Sequence, residues 1–207
     1  MLRQHLYTIH DKGILVTADD RGRLYAADLA RIATFAALIA ALGLPGTLSP
    51  FGNAVPITAQ SLGVMLAGAI LGARRGALAC LVFVILVAAG LPLLAGGQNG
   101  LGVFTGPRGG FVLMFPVAAL VIGALTERML PRYRFWPGLL CNLIGGIVVL
   151  YAVGVPFQAW RLQSGLLAIA TGATVYLPGD LIKAVVAALV AQQVHRALPG
   201  LAGARTS

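Results

Sequence analysis

Charge is scarce in this chain. Of 207 residues only 10% are charged, and only six are acidic. Paired carboxylates for acid–base work inside an apolar core are therefore excluded, since a single acid, Asp180, lies within a hydrophobic run. Cysteine is scarce as well. Cys80 and Cys141 sit inside apolar stretches with no ligand-like spacing, which reads as two buried thiols and excludes a cysteine metal site. No apolar run carries a Ser/His couple or two histidines at metal-binding spacing. The G-x-x-x-x-G-K-[ST] phosphate loop is missing, so the chain has no recognisable ATPase of its own. No inverted repeat of the secondary-carrier kind stands out. An enzyme is the poorer reading, and a binding or transport role without its own energy source remains.

What is abundant is hydrophobicity: 58% of the residues are apolar and the mean hydropathy is +0.89. The chain reads as an all-α polytopic membrane protein whose first partner is the lipid bilayer. A helix crosses the hydrocarbon layer in about 20 residues, and stretches near that size recur between glycine, proline and arginine punctuation. Six spans are expected, at 29–44, 57–73, 76–94, 111–126, 138–156 and 179–197. A further apolar piece, "SGLLAIATGATVYL" (Ser164 to Leu177), is short and rich in Gly and Thr, and is assigned to an outer loop.

The net charge of +9 follows from topology and not from nucleic acid, because no basic cluster is interleaved with aromatics. With a cytoplasmic N-terminus, twelve of the 15 Lys and Arg residues fall inside, including Arg74, Arg75, Arg128, Arg132, Arg134 and Arg196. Arg108 and Arg161 alone fall outside. Both termini are thus expected in the cytoplasm. Tyr133, Trp136 and Trp160 fit interfacial belts. The domain reading is a polar cytoplasmic extension over 1–25, a transmembrane unit over 26–198 and a cytoplasmic tail over 199–207. The extension lacks the apolar core of a secretory signal and is expected to be a mobile tail retained in the mature chain, with His5 and His10 solvated. His195 reads as a helix-end or headgroup contact.

Function is expected where charge enters the hydrophobic layer, because an ionisable group at mid-span costs about 2.5–3.5 kcal/mol. Asp180 and Lys183 are three apart in "YLPGDLIKAVVAALVAQQVHR" and share a helical face. Pro178 and Gly179 are expected to open that helix and leave backbone N–H groups free beside them. An acceptor, a cation and free donors suit a small polar ligand. The alternative is an ion pair that locks the bundle. The outer stretch "AGGQNGLGVFTGPRGG" (Ala95 to Gly110) is seven-sixteenths glycine and permits close backbone approach to something bound. Gln98, Asn99 and Arg108 supply its polar side chains; Gly97, Gly109 and Tyr176 complete the candidate ligand-binding set. Small residues at four-residue spacing, Ala33, Ala37 and Ala41 in the first span and Gly68 and Gly72 in the second, let other helices approach, with packing inside the bundle the simpler explanation from spacing alone.

The segments "VPITAQSLGVMLAGAILGARRGALACLVFVILVAAGLPLLAGG", "GLGVFTGPRGGFVLMFPVAALVIG" and "YLPGDLIKA" occur in this order and cover about 55–205. With their P-I-T-x-Q, GP-x-GG and GD-x-x-K signatures, they resemble the BioY family, biotin-specific substrate-binding (S) components of energy-coupling factor (ECF) transporters. The resemblance implies a six-helix S-component bundle in a bacterial or archaeal plasma membrane, with no cofactor and with biotin as ligand. It also implies a transmembrane T component and two cytoplasmic ATPase subunits as partners. The family's acid and lysine map onto Asp180 and Lys183, and the alanine face Ala33, Ala37 and Ala41 becomes a docking surface for the T component. Arg108 stands where the family commonly has an uncharged residue, and the N-terminal extension lies outside the shared region. Two further readings stay open, an S component for another vitamin and a self-sufficient proton-coupled carrier that uses Asp180.

Overall fold

A computed structural model describes residues 18–44 and 58–199 of the chain. The reading of His5 and His10, most of the N-terminal extension, Pro56 and Ile57 of the P-I-T-x-Q signature and nearly all of the C-terminal tail lie outside these residues. Among the described residues the chain is helical, with one isolated bridge between Leu94 and Gln98. The helices are α1 (Ala18–Ala41), α2 (Gln60–Leu71), α3 (Ala73–Ala88), α4 (Gly102–Thr105), α5 (Gly109–Leu113) and α6 (Phe115–Glu127), then α7 (Phe135–Leu143), α8 (Leu150–Leu162), α9 (Leu166–Ala173) and α10 (Leu177–Ala197).

Each of the six expected spans has a helical counterpart, but the boundaries differ. Two continuous rods, Phe135–Leu162 and Leu166–Ala197, are long and apolar enough to cross a membrane by themselves. α1 begins at Ala18, so the division expected after residue 25 falls inside a helix. Hydrophobicity marks where a helix can meet lipid, whereas backbone hydrogen bonding carries it on through polar residues. Ser164 to Leu177, expected as a loop, is mostly helical: α9 and a 3₁₀ turn at Thr174–Tyr176 lead straight into α10. Its threonines are compatible with helix because they fold back on it; Thr171 Oγ1 donates to the Leu167 and Ala168 carbonyls, each at 3.0 Å.

Glycine sets the close packing. α2 turns into α3 at Gly72, whose φ of +84° is a left-handed conformation that favours glycine. A Cβ on Gly123 of α6 would strike the backbone of Gly72 and Ala73, and one on Gly68 would strike the Ala119 carbonyl. α6 therefore lies hard against the α2–α3 turn. Between α7 and α8 the chain widens into a π-helical segment, Ile144–Val149, where Gly145 meets Ile122 and Gly146 meets Met65. A π segment carries an extra residue per turn and re-aims the helix beyond it.

The packing has two distinct ends. α2, α6 and α10 contact one another or a shared neighbour. At one end lie Ser61, Phe115, Tyr151 and Asp180, which share a cavity. At the other end Glu127 Oε1 accepts from the Ala73 N–H at 2.8 Å, and Arg75 pairs with Asp28 at 3.0 Å. His195 is buried there, its Nε2 2.8 Å from the Ala69 carbonyl and its ring stacked on Tyr133. His195, expected at a helix end or headgroup, sits at the end of α10 and packs against the last turn of α2. Tyr133 is likewise buried, unlike the exposed Trp136 and Trp160, so it belongs to the packing and not to an interfacial belt. Cys80 and Cys141 are both buried and free.

Candidate functional site

Asp180 and Lys183 lie one turn apart on α10, and Lys183 Nζ donates to Asp180 Oδ1 at 2.8 Å. Around them is a cavity lined chiefly by apolar and aromatic side chains, among them Leu94, Phe111, Val112, Phe115 and Leu150. Its empty volume is about 680 Å³, including the space open to solvent at its mouth. A charged pair on such a wall needs hydrogen bonds from other elements to offset its desolvation. Two are present. Tyr151 of α8 donates its hydroxyl to Asp180 Oδ2 at 2.6 Å. Ser61 of α2 accepts from Lys183 Nζ at 3.1 Å and lies 3.4 Å from Asp180 Oδ1.

Three helices thus converge on one carboxylate. Oδ1 already faces Lys183 and Ser61, whereas Oδ2 accepts from Tyr151 alone among the described residues and retains acceptor capacity, since a carboxylate oxygen offers about two lone-pair directions. The site can therefore take an N–H donor from a ligand at Oδ2 without dismantling its own framework. The expected free N–H groups beside Asp180 are not the source of its polarity. The backbone is already helical before Pro178, and the Leu177 N–H is bonded to the Thr174 carbonyl.

The other expected residues divide into groups. Tyr176 is buried and lines the same cavity, as does Arg108. Arg108 precedes α5 and also borders a shallower, more polar depression formed by Gly97, Gln98, Asn99, Gly102, Val103, Gly106 and Pro107. Its guanidinium has no hydrogen-bond or ion-pair partner among the described residues, and desolvation lowers its pKa from the usual arginine value. Gln98 and Asn99 are exposed; the Asn99 amide donates to the Gly97 carbonyl at 3.3 Å. They face the mouth depression and do not touch the Asp180 cluster. Gly109 lines neither hollow. A Cβ there would collide with the Phe104 carbonyl, so its role is to let α5 approach α4.

The turn that begins the glycine-rich stretch is left-handed at Gly96, Gly97 and Gly100, where φ is +82°, +70° and +77°. Gly100 N–H reaches back to the Val87 carbonyl at 2.8 Å and ties the loop to α3.

Ser61, Tyr151, Phe111 and Phe115 are site residues that sequence reasoning missed. Ser61 directly follows the quoted P-I-T-x-Q signature, and Tyr151 is a polar aromatic in the middle of an apolar run. Both were available signals, but neither carries the insertion cost that singled out Asp180. On α1, Ala33, Ala37 and Ala41 are exposed, whereas Ala36 is buried. The alanine face lies outside the bundle's own packing.

The family model described as "BioY family" matches residues 15–200. The chain belongs to the BioY family. Among its relatives, the biotin transporter BioY of Rhizobium etli is 47% identical over 179 residues, covering 83% of this chain and 95% of the relative. That of Rhodobacter capsulatus is 43% identical, covering 84% and 96%. The fold is similar to a crystal structure of the S-component for biotin from an ECF-type ABC transporter. The TM-score is 0.80 at 26% sequence identity, over 87% of this chain and 95% of that one.

Proposed function

We propose that this BioY-family chain is the biotin-binding membrane subunit of an uptake system and that its cavity at Asp180 is the biotin site. The observation that carries the site assignment is the convergence of Tyr151, Ser61 and Lys183 on a buried carboxylate in an otherwise apolar hollow. Biotin brings a ureido ring with two N–H donors and one carbonyl, an apolar bicycle and a carboxylate tail. The ureido N–H groups meet Asp180, and Lys183, with one of its three N–H donors uncommitted among the described residues, offers a donor to the carbonyl. Phe111, Phe115 and Leu150 cover the bicycle. Arg108 receives the tail's anion near the mouth, with Gln98 and Asn99 as outer polar contacts. Tyr176 closes one side.

Transport then requires an energy source outside this chain. The likeness to an ECF S-component supports a transmembrane T component and two cytoplasmic ATPases as its partners, with the exposed Ala33, Ala37 and Ala41 face as the docking surface. Six membrane spans with both termini in the cytoplasm agree with the grouping of Arg75, His195 and Glu127 at the end away from the cavity. In that arrangement residues 26–198 form the membrane unit. Titration of the purified full-length protein with biotin tests the function: saturable binding that thiamin and riboflavin do not displace supports it, and absence of binding overturns it.

A further inference from the structure

Gln60, the first residue of α2, is 2% exposed, yet its amide bonds three backbone groups on two other segments. Its Nε2 donates to the Ile39 carbonyl at 3.3 Å and to the Leu93 carbonyl at 2.9 Å. Its Oε1 accepts from the Ala95 N–H at 3.2 Å. Leu93 and Ala95 flank Leu94 at the entrance to the glycine-rich stretch, and Leu94, Ala95 and Gln60 itself all line the cavity. Ile39 belongs to the last turn of α1.

That last turn is irregular in a way that needs Gln60. The Gly43 N–H bonds to the Ala40 carbonyl at 2.9 Å, leaving the Ile39 carbonyl without the donor that a continuing α-helix would give it. Gln60 supplies the replacement. A Cβ on Gly43 would come within 2.8 Å of Gln60 Nε2 and 3.0 Å of the Leu93 carbonyl, so glycine leaves room for the amide. Both donors of one buried side chain are thus committed, one to the helix end and one to the loop. Movement of either segment strains the other through an almost wholly buried group.

We infer that Gln60 is a positioning residue that couples occupancy of the cavity to the last turn of α1. A ligand that orders Leu94 and Ala95 strengthens the amide's hold on Leu93 and Ala95, and through the same planar group fixes the Ile39 carbonyl. Ala41, at the end of the exposed alanine face, lies two residues beyond Ile39 in that turn. Occupancy is thereby reported to the outer surface of α1. Gln is suited to this because Glu would face two carbonyls with an acceptor, and Met would leave all three backbone groups unpaired.

Hydrogen exchange on the full-length protein, with and without biotin, tests this coupling, and the choice of biotin rests on the function proposed above. In the wild type biotin slows exchange both at residues 93–97 and at residues 42–44, by about tenfold or more. In Gln60→Met and in Gly43→Ala the loop response persists while the α1 response is lost. An α1 response that is unchanged in both variants, or absent from the wild type that binds biotin, overturns the inference. Failure of the wild type to bind biotin counts against the proposed function instead. The unliganded proteins then decide the inference: Gly43→Ala or Gln60→Met accelerates exchange at both segments together if the clamp couples them, and at one alone if it does not. Gly43→Ala reaches the clamp from the other side should Gln60→Met fail to fold.

Discussion

The Tyr151 hydroxyl lies 2.6 Å from Asp180 Oδ2, joining the fifth and last apolar stretches across 29 residues of sequence. Tyr151 follows the π-helical Ile144–Val149 segment by two residues. The extra residue of that wide turn rotates α8 relative to α7, and the hydroxyl reaches the carboxylate on the re-aimed face. Tyr151→Phe removes this donor while keeping the ring that packs edge-on to Phe111. A hydrogen bond to a charged group contributes about 1.5–3 kcal/mol to the folded protein, and because this one is made before a ligand arrives only part of that reaches binding; biotin affinity is expected to fall by about tenfold or less with the fold intact. Isothermal titration calorimetry checks it; undiminished affinity would mean that the bond serves packing alone.

Asp180 and Lys183 were legible in the sequence because a charge in an apolar run is costly and rare, and the structure pairs them. Ser61 and Tyr151 gave a weaker signal, since a hydroxyl enters a hydrophobic helix at small cost and changes the hydropathy little. The all-helical class was readable from apolar periods, but the Leu166–Ala197 rod was not. Gly172 and the threonines of α9 lower its apparent helix signal, and only packing beside α8 and local hydroxyl back-bonding reveal why it is helical. Gln98 and Asn99 stand out in the sequence as polar residues near glycine; the distinction between cavity wall and mouth depends on how the loop folds back onto Val87. That fold-back joins Gly100 to a residue in the preceding helix and leaves no pattern of its own.

Asp180→Asn and Lys183→Met should each weaken biotin by about 2–5 kcal/mol, because removing one partner leaves the other buried and unmatched. The double variant should lose less than the sum of the two. Affinities from a four-protein cycle measure the difference, and strict additivity would separate the two side chains energetically despite their 2.8 Å contact.

Arg108 borders both hollows and has no side-chain partner among the described residues, which suits an anion near the mouth. Arg108→Ala is therefore expected to weaken biotin by about 1–2 kcal/mol and to leave biotinamide almost unaffected. Competition binding with the two ligands reads this out. Equal losses would place Arg108's effect on the cavity shape and not on the carboxylate.

The proposed orientation puts the cavity on the outer side and the opposite, arginine-bearing end in the cytoplasm. Single cysteines replacing Ser or Thr near the cavity, such as Thr105→Cys, should react with an impermeant thiol reagent on intact cells, in a background with Cys80 and Cys141 replaced by Ala. Arg74→Cys and Arg132→Cys should react only after permeabilisation. The reverse pattern would invert the proposed topology.

Gly68 and Ala37 share the small-residue spacing of helix interfaces, but their surroundings separate them. Gly68 is buried with the Ala119 carbonyl where a Cβ would stand, and the contact is backbone against backbone, so no side-chain rotation relieves it. Gly68→Leu should push α2 from α6, destabilise the protein by about 3 kcal/mol or more, and lower its melting temperature in detergent along with biotin binding. Ala37 is exposed on α1 and meets no such obstacle. Ala37→Leu should therefore preserve melting temperature and biotin affinity while abolishing uptake in cells that hold the coupling subunits, because a larger side chain keeps a partner helix from the close approach a small-residue face permits. Parallel thermal unfolding, biotin titration and radiolabelled uptake distinguish the two sites. Full uptake by Ala37→Leu would remove the alanine face from the docking surface, and loss of biotin binding in that variant would show that α1's outer face supports the cavity instead.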